Sequence, residues 1–404
     1  MTRLSASLLA AALLLSLTAC GGAPSEPEPV SPPVTEEALA PAPVPENPPE
    51  PTPEKLAAAE LDSLLSSMTL EEKVGQLFFV RCPAENAVSD AADYHLGGYI
   101  LFGRDFQDTA GAWLTEDQFI TSIRSYQDAA SIPLLIGVDE EGGTVVRASR
   151  NPNLFPHGKC SSPQQLLKNQ QTQGDIFAED AWEKNSRLLT LGINVNLAPV
   201  ADMSTVPSDF IYDRTLGRDA RDTADYVTSV VTAMEACGIG SVLKHFPGYG
   251  NNVDTHTGIA VDSRPLETFQ TADFLPFRAG IQAGGKTTAV LVSHNIMECV
   301  DNTLPASLSP AVHKVLREEL GFDGVVMTDD LAMDAVAAYA KDGAVAVMAL
   351  QAGNDLVVTT DYRAQIPKVL EALENGTLTE ASIDEACRRV LAWKQALGLL
   401  ETAS

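Results

Sequence analysis

Basic residues are scarce in this chain. Its 27 lysines and arginines stand against 54 aspartates and glutamates, which gives a formal net charge of −27 at pH 7. A surface of that sign repels phosphate backbones and anionic lipid headgroups, so nucleic acid is not an expected partner and adhesion to membranes through surface charge is disfavoured. The rest of the composition, with 45% hydrophobic and 20% charged residues, is that of a globular protein with a sizeable core.

Cysteine is also infrequent. After Cys20 the chain has five widely spaced cysteines, with no CxxC motif and no cysteine–histidine spacing: Cys82, Cys160, Cys237, Cys299 and Cys387. Neither a disulfide framework nor a zinc site is indicated, and we expect no metal and no cofactor. Buried free thiols are the favoured state, and a single disulfide is the alternative.

Long hydrophobic runs are confined to the N-terminus. Residues 1–20 combine one arginine, an apolar run too short to span a bilayer comfortably, and small residues before Cys20. The ending LTAC followed by GG resembles a bacterial lipoprotein signal, in which the cysteine becomes the lipidated first residue of the mature chain. We therefore expect Cys20 to anchor the protein at the cell surface, on the extracytoplasmic face of the bacterial plasma membrane. An ordinary secretory signal is the alternative.

Residues 21–55 are rich in proline and glutamate and almost free of large apolar side chains. Such a segment cannot bury enough apolar surface to offset the entropy cost of folding, and its prolines favour extended polyproline II. We predict a disordered linker that holds the globular part away from the membrane.

Eight short apolar runs, most of them ending in polar residues, follow from residue 56 onward. They cover residues 75–80, 97–102, 133–141, 193–202, 241–246, 289–294, 324–330 and 355–360. Helical patterns lie at 56–67, 177–191, 223–237, 269–283, 310–320, 335–352 and 381–397, and TLEE at 69–72 is a capping box. Alternating strands and helices imply parallel pairing with right-handed crossovers, so residues 56–404 are predicted to form a (β/α)8 TIM barrel.

Functional groups of such barrels gather at the carboxyl ends of the strands. Five runs end in polar residues: Asp139 with Glu140 and Glu141, Asp202, Lys244 with His245, Ser293 with His294, and Asp329 with Asp330. Each alone is as compatible with a helix cap or a loop anchor. Together they predict a site suited to cleaving a glycosidic bond, which needs a carboxylate beside the anomeric carbon and a group that protonates the leaving oxygen.

The stretch KHFPGYGNNVDTH, residues 244–256, ends a strand and opens a loop, because one proline and two glycines interrupt regular structure. In an extended segment Asp254 and His256 point to the same side. An aspartate bonded to one imidazole nitrogen orients the ring and leaves the other nitrogen free for proton transfer. A turn with a solvated histidine is the alternative.

Six ordered motifs support one family resemblance: MTLEEKVGQLF at 68–78, GVDEEGGTVVR at 137–147, RTLGRD at 214–219, KHFPGYGNNVDTH at 244–256, LVSH at 291–294 and MTDDLAM at 327–333. With them the chain resembles the family 3 glycoside hydrolases, specifically their single-domain exo-β-N-acetylglucosaminidase branch. The resemblance implies a catalytic nucleophile at Asp329, a general acid/base at His256 and its partner at Asp254. It also implies a pocket for the hydroxyls of the terminal sugar, formed by Asp139, Arg147, Arg214, Lys244 and His245.

Four positions depart from the family's commonest pattern. Glu140 stands where glutamine is usual, Thr144 where arginine is usual, Tyr249 where a second histidine is usual and Leu216 where an aromatic residue is usual. None of them is a residue to which the resemblance gives a bond-making role.

The expected substrate is a carbohydrate with a terminal β-linked N-acetylglucosamine, derived from peptidoglycan, and the expected state is a monomer. A β-glucosidase is disfavoured, because the larger β-glucosidases that the barrel resembles take their acid from a glutamate in a following domain. A neutral-to-cationic acid also permits phosphate as the acceptor, so a phosphorylase is an alternative. A non-catalytic sugar-binding lipoprotein is a more distant one.

Overall fold

The computed structural model describes residues 52–169, 174–252, 260–333, 336, 339 and 344–400. The predicted lipidation site Cys20, nearly all of the predicted linker, and the predicted pair Asp254 and His256 lie outside the described residues. Within the described residues, the helices are too short or too polar to cross a membrane.

Eight parallel strands form the centre of the molecule. The strands are β1 Phe78–Arg81, β2 Gly98–Leu101, β3 Leu135–Val138, β4 Val195–Asn196, β5 Gly240–Phe246, β7 Thr288–Val292, β9 Val326–Thr328 and β10 Val357–Thr359. In sheet order β10-β1-β2-β3-β4-β5-β7-β9, each pairs in parallel with its neighbours. A parallel bridge between Met327 and Leu356 joins the two ends and closes the barrel. Each lies within or overlaps one predicted run, and the predicted (β/α)8 barrel is confirmed.

Strand β4 is much shorter than the run that predicts it. Pro199 has no N–H to donate to a sheet, which ends the ladder soon after Asn196. Side chains replace part of the missing backbone pairing, because Asn194 Oδ1 accepts from Ile136 N at 2.8 Å and Asn196 Oδ1 accepts from Glu140 N at 3.0 Å. Asn194 therefore binds the first half of β3, and Asn196 binds the backbone just after its end, where predicted site residues begin.

Helices surround the barrel. Their bounds are α1 Pro53–Ser67, α2 Leu70–Gln76, α3 Ala87–Asp93, α4 Glu116–Ala129, α5 Pro163–Asn169, α6 Ile176–Thr190, α7 Ala220–Cys237, α8 Leu266–Thr268, α9 Phe274–Gly284, α10 Pro310–Lys314, α11 Val345–Ala352, α12 Tyr362–Glu374 and α13 Glu380–Ala396. The predicted capping box at α2 is confirmed, since Thr69 Oγ1 accepts from Glu72 N at 3.2 Å and Glu72 Oε2 accepts from Thr69 N at 2.8 Å.

Two predicted helices contain π-helical turns that periodicity does not reveal. A π turn at Phe269–Asp273 joins α8 to α9, and another at Val315–Glu319 follows α10. Helix α1 begins three residues before the predicted start, because Pro53 is favourable in the first turn of a helix. Helix α11 begins at Val345 rather than near residue 335, and part of that difference lies outside the described residues.

A second sheet of two short parallel strands, β6 Val261–Asp262 and β8 Ile296–Met297, was not predicted. Two-residue strands carry too little alternation to be recognised in a sequence. This sheet joins the segments that follow β5 and β7, and so fixes the chain just after residues 253–259.

The described cysteines are all unpaired, which confirms the prediction of free thiols. Cys82 and Cys387 are buried, whereas Cys299 is exposed, so the prediction of burial is wrong for that residue.

One lysine is fully buried at the amino-terminal end of the barrel. Lys394 Nζ donates to Gln76 Oε1 at 2.6 Å, and Gln76 Nε2 donates to the carbonyl of His95 at 2.8 Å. No carboxylate of a described residue pairs with Lys394, and burial lowers its pKa from 10.5 to about 7.

We expect replacement of Lys394 by methionine to change how stability depends on pH. Between the folded pKa of about 7 and the unfolded value of 10.5, the unfolded chain binds a proton that the folded chain does not. The wild type should therefore gain stability relative to Lys394→Met as the pH rises through this window, by roughly 1.4 kcal/mol per pH unit. Urea unfolding of both proteins across the window measures the difference.

Lys184→Met is the matched control. Lys184 is also buried, but it pairs with Asp180 at 3.1 Å and its pKa is raised, so its contribution should stay constant over the same window. A constant difference between wild type and Lys394→Met would show that Lys394 is charged in the folded protein.

Candidate active site

A cavity of about 350 Å³ opens at the carboxyl ends of the strands. It is lined by Arg81, Ile100, Phe102, Asp139, Val145, Arg147, Leu197, Arg214, Lys244, His245, Tyr249, Leu291, Asp329, Asp330, Met333 and Val358. The structure thus brings together six residues predicted from the sequence: Asp139, Arg147, Arg214, Lys244, His245 and Asp329. The other two predicted residues, Asp254 and His256, lie outside the described residues.

Two carboxylates and two cations form a buried network on one wall of the cavity. Lys244 Nζ lies 2.7 Å from Asp139 Oδ1 and 2.6 Å from Glu141 Oε1. Arg214 binds Glu141 with two nitrogens, at 2.7 and 3.0 Å. Arg147 lies farther out, with one nitrogen 3.8 Å from Asp139 Oδ2. Opposite charges therefore alternate along the wall and fix the orientation of its donors and acceptors.

Neighbouring charges shift the pKa values of Glu141 and Arg214 so that both side chains stay ionised. Burial raises the pKa of Glu141, but the adjacent Arg214 and Lys244 lower it by more, so the pKa lies well below its ordinary value. Burial lowers the pKa of Arg214, but Glu141 raises it by more, so this pKa lies above its ordinary value. Glu141 and Arg214 therefore form an ion pair at neutral pH.

Asp202 positions the histidine of the wall. His245 Nδ1 lies 2.7 Å from Asp202 Oδ2, which also accepts from the backbone N–H of His245 at 3.0 Å. Arg214 lies 3.0 Å from His245 Nε2, and since a guanidinium can only donate, Nε2 accepts and Nδ1 carries the proton. His245 is therefore a neutral ring in this arrangement and is not a proton donor at Nε2.

Asp329 follows β9 directly and faces the cavity. Its backbone N–H donates to the carbonyl of Val292 at 3.0 Å, and its Oδ1 accepts from Asp330 N at 2.9 Å. Asp330 Oδ1 accepts from Ala332 N at 2.9 Å, which stabilises the turn that follows β9. Burial raises the pKa of Asp330, an effect that the Ala332 N–H opposes and the Asp329 carboxylate reinforces.

His294 supports this turn from behind. Its Nε2 donates to the carbonyl of Asp330 at 3.0 Å, and its Nδ1 is hydrogen-bonded to the Ser307 hydroxyl at 2.7 Å. His294 therefore does not line the cavity, although it ends the adjacent run of the sequence.

The structure shows the surroundings of the four residues that depart from the family pattern. Glu140 is fully buried and accepts from the backbone N–H groups of Arg147 and Ala148 at 2.9 and 2.8 Å. It thereby holds the loop that presents Arg147 to the cavity. Tyr249 is buried with its ring 5.2 Å from that of His245, edge to face. Leu216 is buried in the core and Thr144 is exposed, and nothing in the structure explains Thr144.

The loop after β5 is confirmed as far as Asn252. Gly250 has a φ of 54°, and a Cβ there would lie 2.6 Å from the guanidinium carbon of Arg264. Arg264 binds Asp262 at 2.7 Å and Asp273 at 2.9 Å, and Asp262 Oδ2 accepts from Asn252 Nδ2 at 3.0 Å. The two described ends of the loop are thus tied to one another.

The strand-end pattern included Glu141 and Asp202, but the sequence predicted no specific role in the site for either residue. Both stand at strand ends, which was a usable signal, but their partners lie 73 and 43 residues away in the chain. Within the described residues, no cluster of three or more histidine, cysteine or acidic side chains could hold a metal ion.

A (β/α)8 barrel with alternating carboxylates and cations at its carboxyl end is the architecture of a barrel enzyme that binds a polar, polyhydroxylated substrate. Comparison with known proteins makes this more specific. The sequence model of the Glycosyl hydrolase family 3 N terminal domain matches residues 69–393. The chain therefore belongs to glycosyl hydrolase family 3, as the motifs predicted, and it is a glycoside hydrolase.

Its relatives agree with this family. The beta-hexosaminidase of Tolumonas auensis is 32% identical over 289 residues, which are 71% of this chain and 82% of that protein. The beta-hexosaminidase of Vibrio cholerae is 31% identical over 288 residues, with the same two coverages of 71% and 82%.

Solved structures agree as well. A glycoside hydrolase family 3 beta-N-acetylglucosaminidase from Paenibacillus sp. str. FPU-7 superposes with a TM-score of 0.73 at 30% identity over 84% of this chain, and this chain spans 64% of its length. M tuberculosis LpqI superposes with a TM-score of 0.72 at 28% identity over 82% of this chain and 95% of that one.

We expect Glu141→Gln to lower the free energy of unfolding by about 3 kcal/mol, because the change leaves two buried cations without their shared carboxylate. Glu140→Gln is the matched control and should cost less than about 1 kcal/mol, since an amide can serve the N–H and hydroxyl partners of Glu140. Denaturant unfolding compares the two variants. Equal losses would mean that the network contributes no more than an ordinary hydrogen-bonded carboxylate.

Proposed function

We propose that the protein is a retaining exo-glycosidase that removes terminal β-linked N-acetylglucosamine from peptidoglycan-derived saccharides or muropeptides. The observation that carries the proposal is the position of Asp329 at the end of β9, in one cavity with the network of Asp139, Lys244, Glu141 and Arg214. The names of the beta-hexosaminidase relatives and of the Paenibacillus beta-N-acetylglucosaminidase support N-acetylglucosamine as the sugar.

The network is suited to holding the terminal sugar. Asp139, Lys244 and Arg147 offer acceptors and donors for neighbouring hydroxyl groups, and their mutual bonds keep them oriented before the substrate arrives. In this proposal Asp329 attacks the anomeric carbon as the bond to the leaving oxygen breaks, which forms a glycosyl-aspartate ester. Water then hydrolyses the ester and releases the sugar.

The proton donor in this mechanism is His256, oriented by Asp254. His256 protonates the leaving oxygen in the first step and takes a proton from the attacking water in the second. Two features of the described residues support this assignment. His245 is held neutral, with its Nε2 accepting from Arg214, and Tyr249, which lines the cavity, lies only a few residues before the segment that contains the pair.

The same proposal places the enzyme at the cell surface. Cys20 would carry the lipid, residues 21–55 would span the distance to the wall, and the catalytic barrel, from residue 56 onward, would act as a monomer on saccharides released there. The lipoprotein-like signal at residues 1–20 and the proline-rich composition that follows it support this placement.

Asp329→Asn should lower kcat on nitrophenyl β-N-acetylglucosaminide by at least about 1000-fold, because the amide cannot form the covalent ester. Asp330→Asn is the neighbouring control and should keep activity within about tenfold, since an asparagine can still accept from Ala332 N. Release of nitrophenol is the measurement. The reverse order of losses would move the nucleophile to Asp330, and preferred turnover of the nitrophenyl β-glucoside would make the protein a β-glucosidase.

His256→Ala should impair substrates with poor leaving groups far more than substrates with good ones, because only the former need protonation. We expect a loss of roughly 100-fold on an N-acetylglucosaminyl disaccharide and a much smaller loss on the dinitrophenyl glycoside. His157→Ala, at an exposed histidine outside the cavity, should leave both rates unchanged. Equal losses of His256→Ala on both substrates would remove His256 from proton transfer.

A further inference from the structure

The cavity contains one cation that the network does not use. Arg81 is the last residue of β1 and lines the cavity, and it was not predicted as a site residue. Its Nε is buried without a hydrogen-bond partner. Lys244, Arg214 and Arg147 each have an acidic partner, whereas Arg81 forms no ion pair with any residue that the structure describes.

Aromatic packing holds the Arg81 side chain in place. Its guanidinium carbon lies 4.4 Å from the centre of the Phe102 ring, and that of Arg147 lies 5.7 Å from the same ring. Phe102 therefore contacts two guanidinium groups, of which that of Arg147 also lies near Asp139. This arrangement fixes Arg81 beside the sugar-binding wall without neutralising its charge.

Asp105, an acidic residue that interacts electrostatically with Arg81, forms no ion pair with it. Asp105 interacts with Arg81 electrostatically, but its Oδ2 accepts from Phe102 N at 2.7 Å and its Oδ1 faces Arg104 Nε at 3.4 Å. Its carboxylate is thus bonded to the backbone and to another arginine. The donors of Arg81 are left for a group that enters the cavity.

The positive charge of Arg81 indicates which kind of substrate group would bind to it. The chain has a net charge of −27, so its overall field opposes an anionic substrate. A fixed guanidinium with unused donors offsets that field locally, and its planar fork matches the two oxygens of a carboxylate or a phosphate better than it matches a single hydroxyl.

We propose that Arg81 binds an anionic substituent of the substrate, a carboxylate or a phosphate, and that it selects acidic over neutral N-acetylglucosaminides. This inference rests on the proposed function, because it concerns the substrate of the same cavity. Arg81 is a specificity residue here and takes no part in bond breaking.

Three N-acetylglucosaminyl disaccharides test the proposal, one with a carboxylate, one with the methyl ester of that carboxylate, and one with a phosphate ester at the same place. The wild type should show a higher kcat/KM for at least one of the anions than for the neutral ester. Arg81→Gln should lower kcat/KM for that anion by roughly tenfold or more and leave the neutral ester within about twofold. The anion that responds more strongly identifies the group.

Two further variants separate charge from shape. Arg81→Lys keeps the charge and should retain part of the preference for the anion. Arg124→Gln removes an exposed arginine outside the cavity and should change nothing, so it controls for the loss of one positive charge. Circular dichroism and thermal unfolding verify that each variant is folded.

Equal losses of Arg81→Gln on the charged and neutral disaccharides would overturn the proposal, because they would indicate a hydroxyl contact. A wild type that does not distinguish the acid from its ester would overturn it as well. Neither result affects the proposed function. That function fails separately if the wild type turns over neither the neutral ester nor nitrophenyl β-N-acetylglucosaminide.

Discussion

The candidate site depends on the charge balance around Glu141. This carboxylate is buried between Lys244 and Arg214, and through Lys244 it connects to Asp139. Buried cations are costly unless a carboxylate compensates them, so each member of the network is needed by the others. The same bonds leave Arg214 oriented towards His245 and set the protonation of that ring. One internal carboxylate thus fixes the geometry of donors on two other segments of the chain.

The barrel places these segments at one end. β3 delivers Asp139 and Glu141, β5 delivers Lys244 and His245, and β9 delivers Asp329, because parallel strands with crossover helices all present their carboxyl ends on the same side. Side chains outside the cavity then adjust the loops. Glu140 accepts a hydrogen bond from the backbone N–H of Arg147. Asp202 accepts hydrogen bonds from the backbone N–H groups of His245 and Tyr249 and so stabilises the turn between them. The lining of the cavity therefore depends on residues that do not touch it.

Buried cations have different partners at the two ends of the barrel. At the carboxyl end every buried cation of the network has an acidic partner, whereas at the amino-terminal end Lys394 has an amide oxygen and a lowered pKa. Arg81 differs from the paired cations of the network and from Lys394. It lines the cavity without an acidic partner among the described residues, and an arginine keeps its proton.

The sequence alone determined the fold class and most of the site. Eight apolar runs and the helical patterns between them were sufficient for the barrel, since burial imposes a simple pattern on local segments. Strand-end polar residues led to Asp139, Lys244, His245 and Asp329 in the cavity, and the family resemblance added Arg147 and Arg214. The motifs at these positions also indicated the family. The helix bounds were less well predicted where π turns or short strands carry no periodic signal.

Only the tertiary structure decided which strand-end groups pair and which face the cavity. Glu141 meets Arg214 across 73 residues of chain and His245 meets Asp202 across 43, and both contacts exist because β3, β4 and β5 lie side by side in the sheet. The same holds for Arg81, whose lack of an acidic partner among the described residues is a property of its surroundings in space. The hydrophobic pattern of the sequence indicates which residues are buried and in which direction each strand runs. Electrostatic pairing depends instead on distances between side chains, which only the folded chain sets.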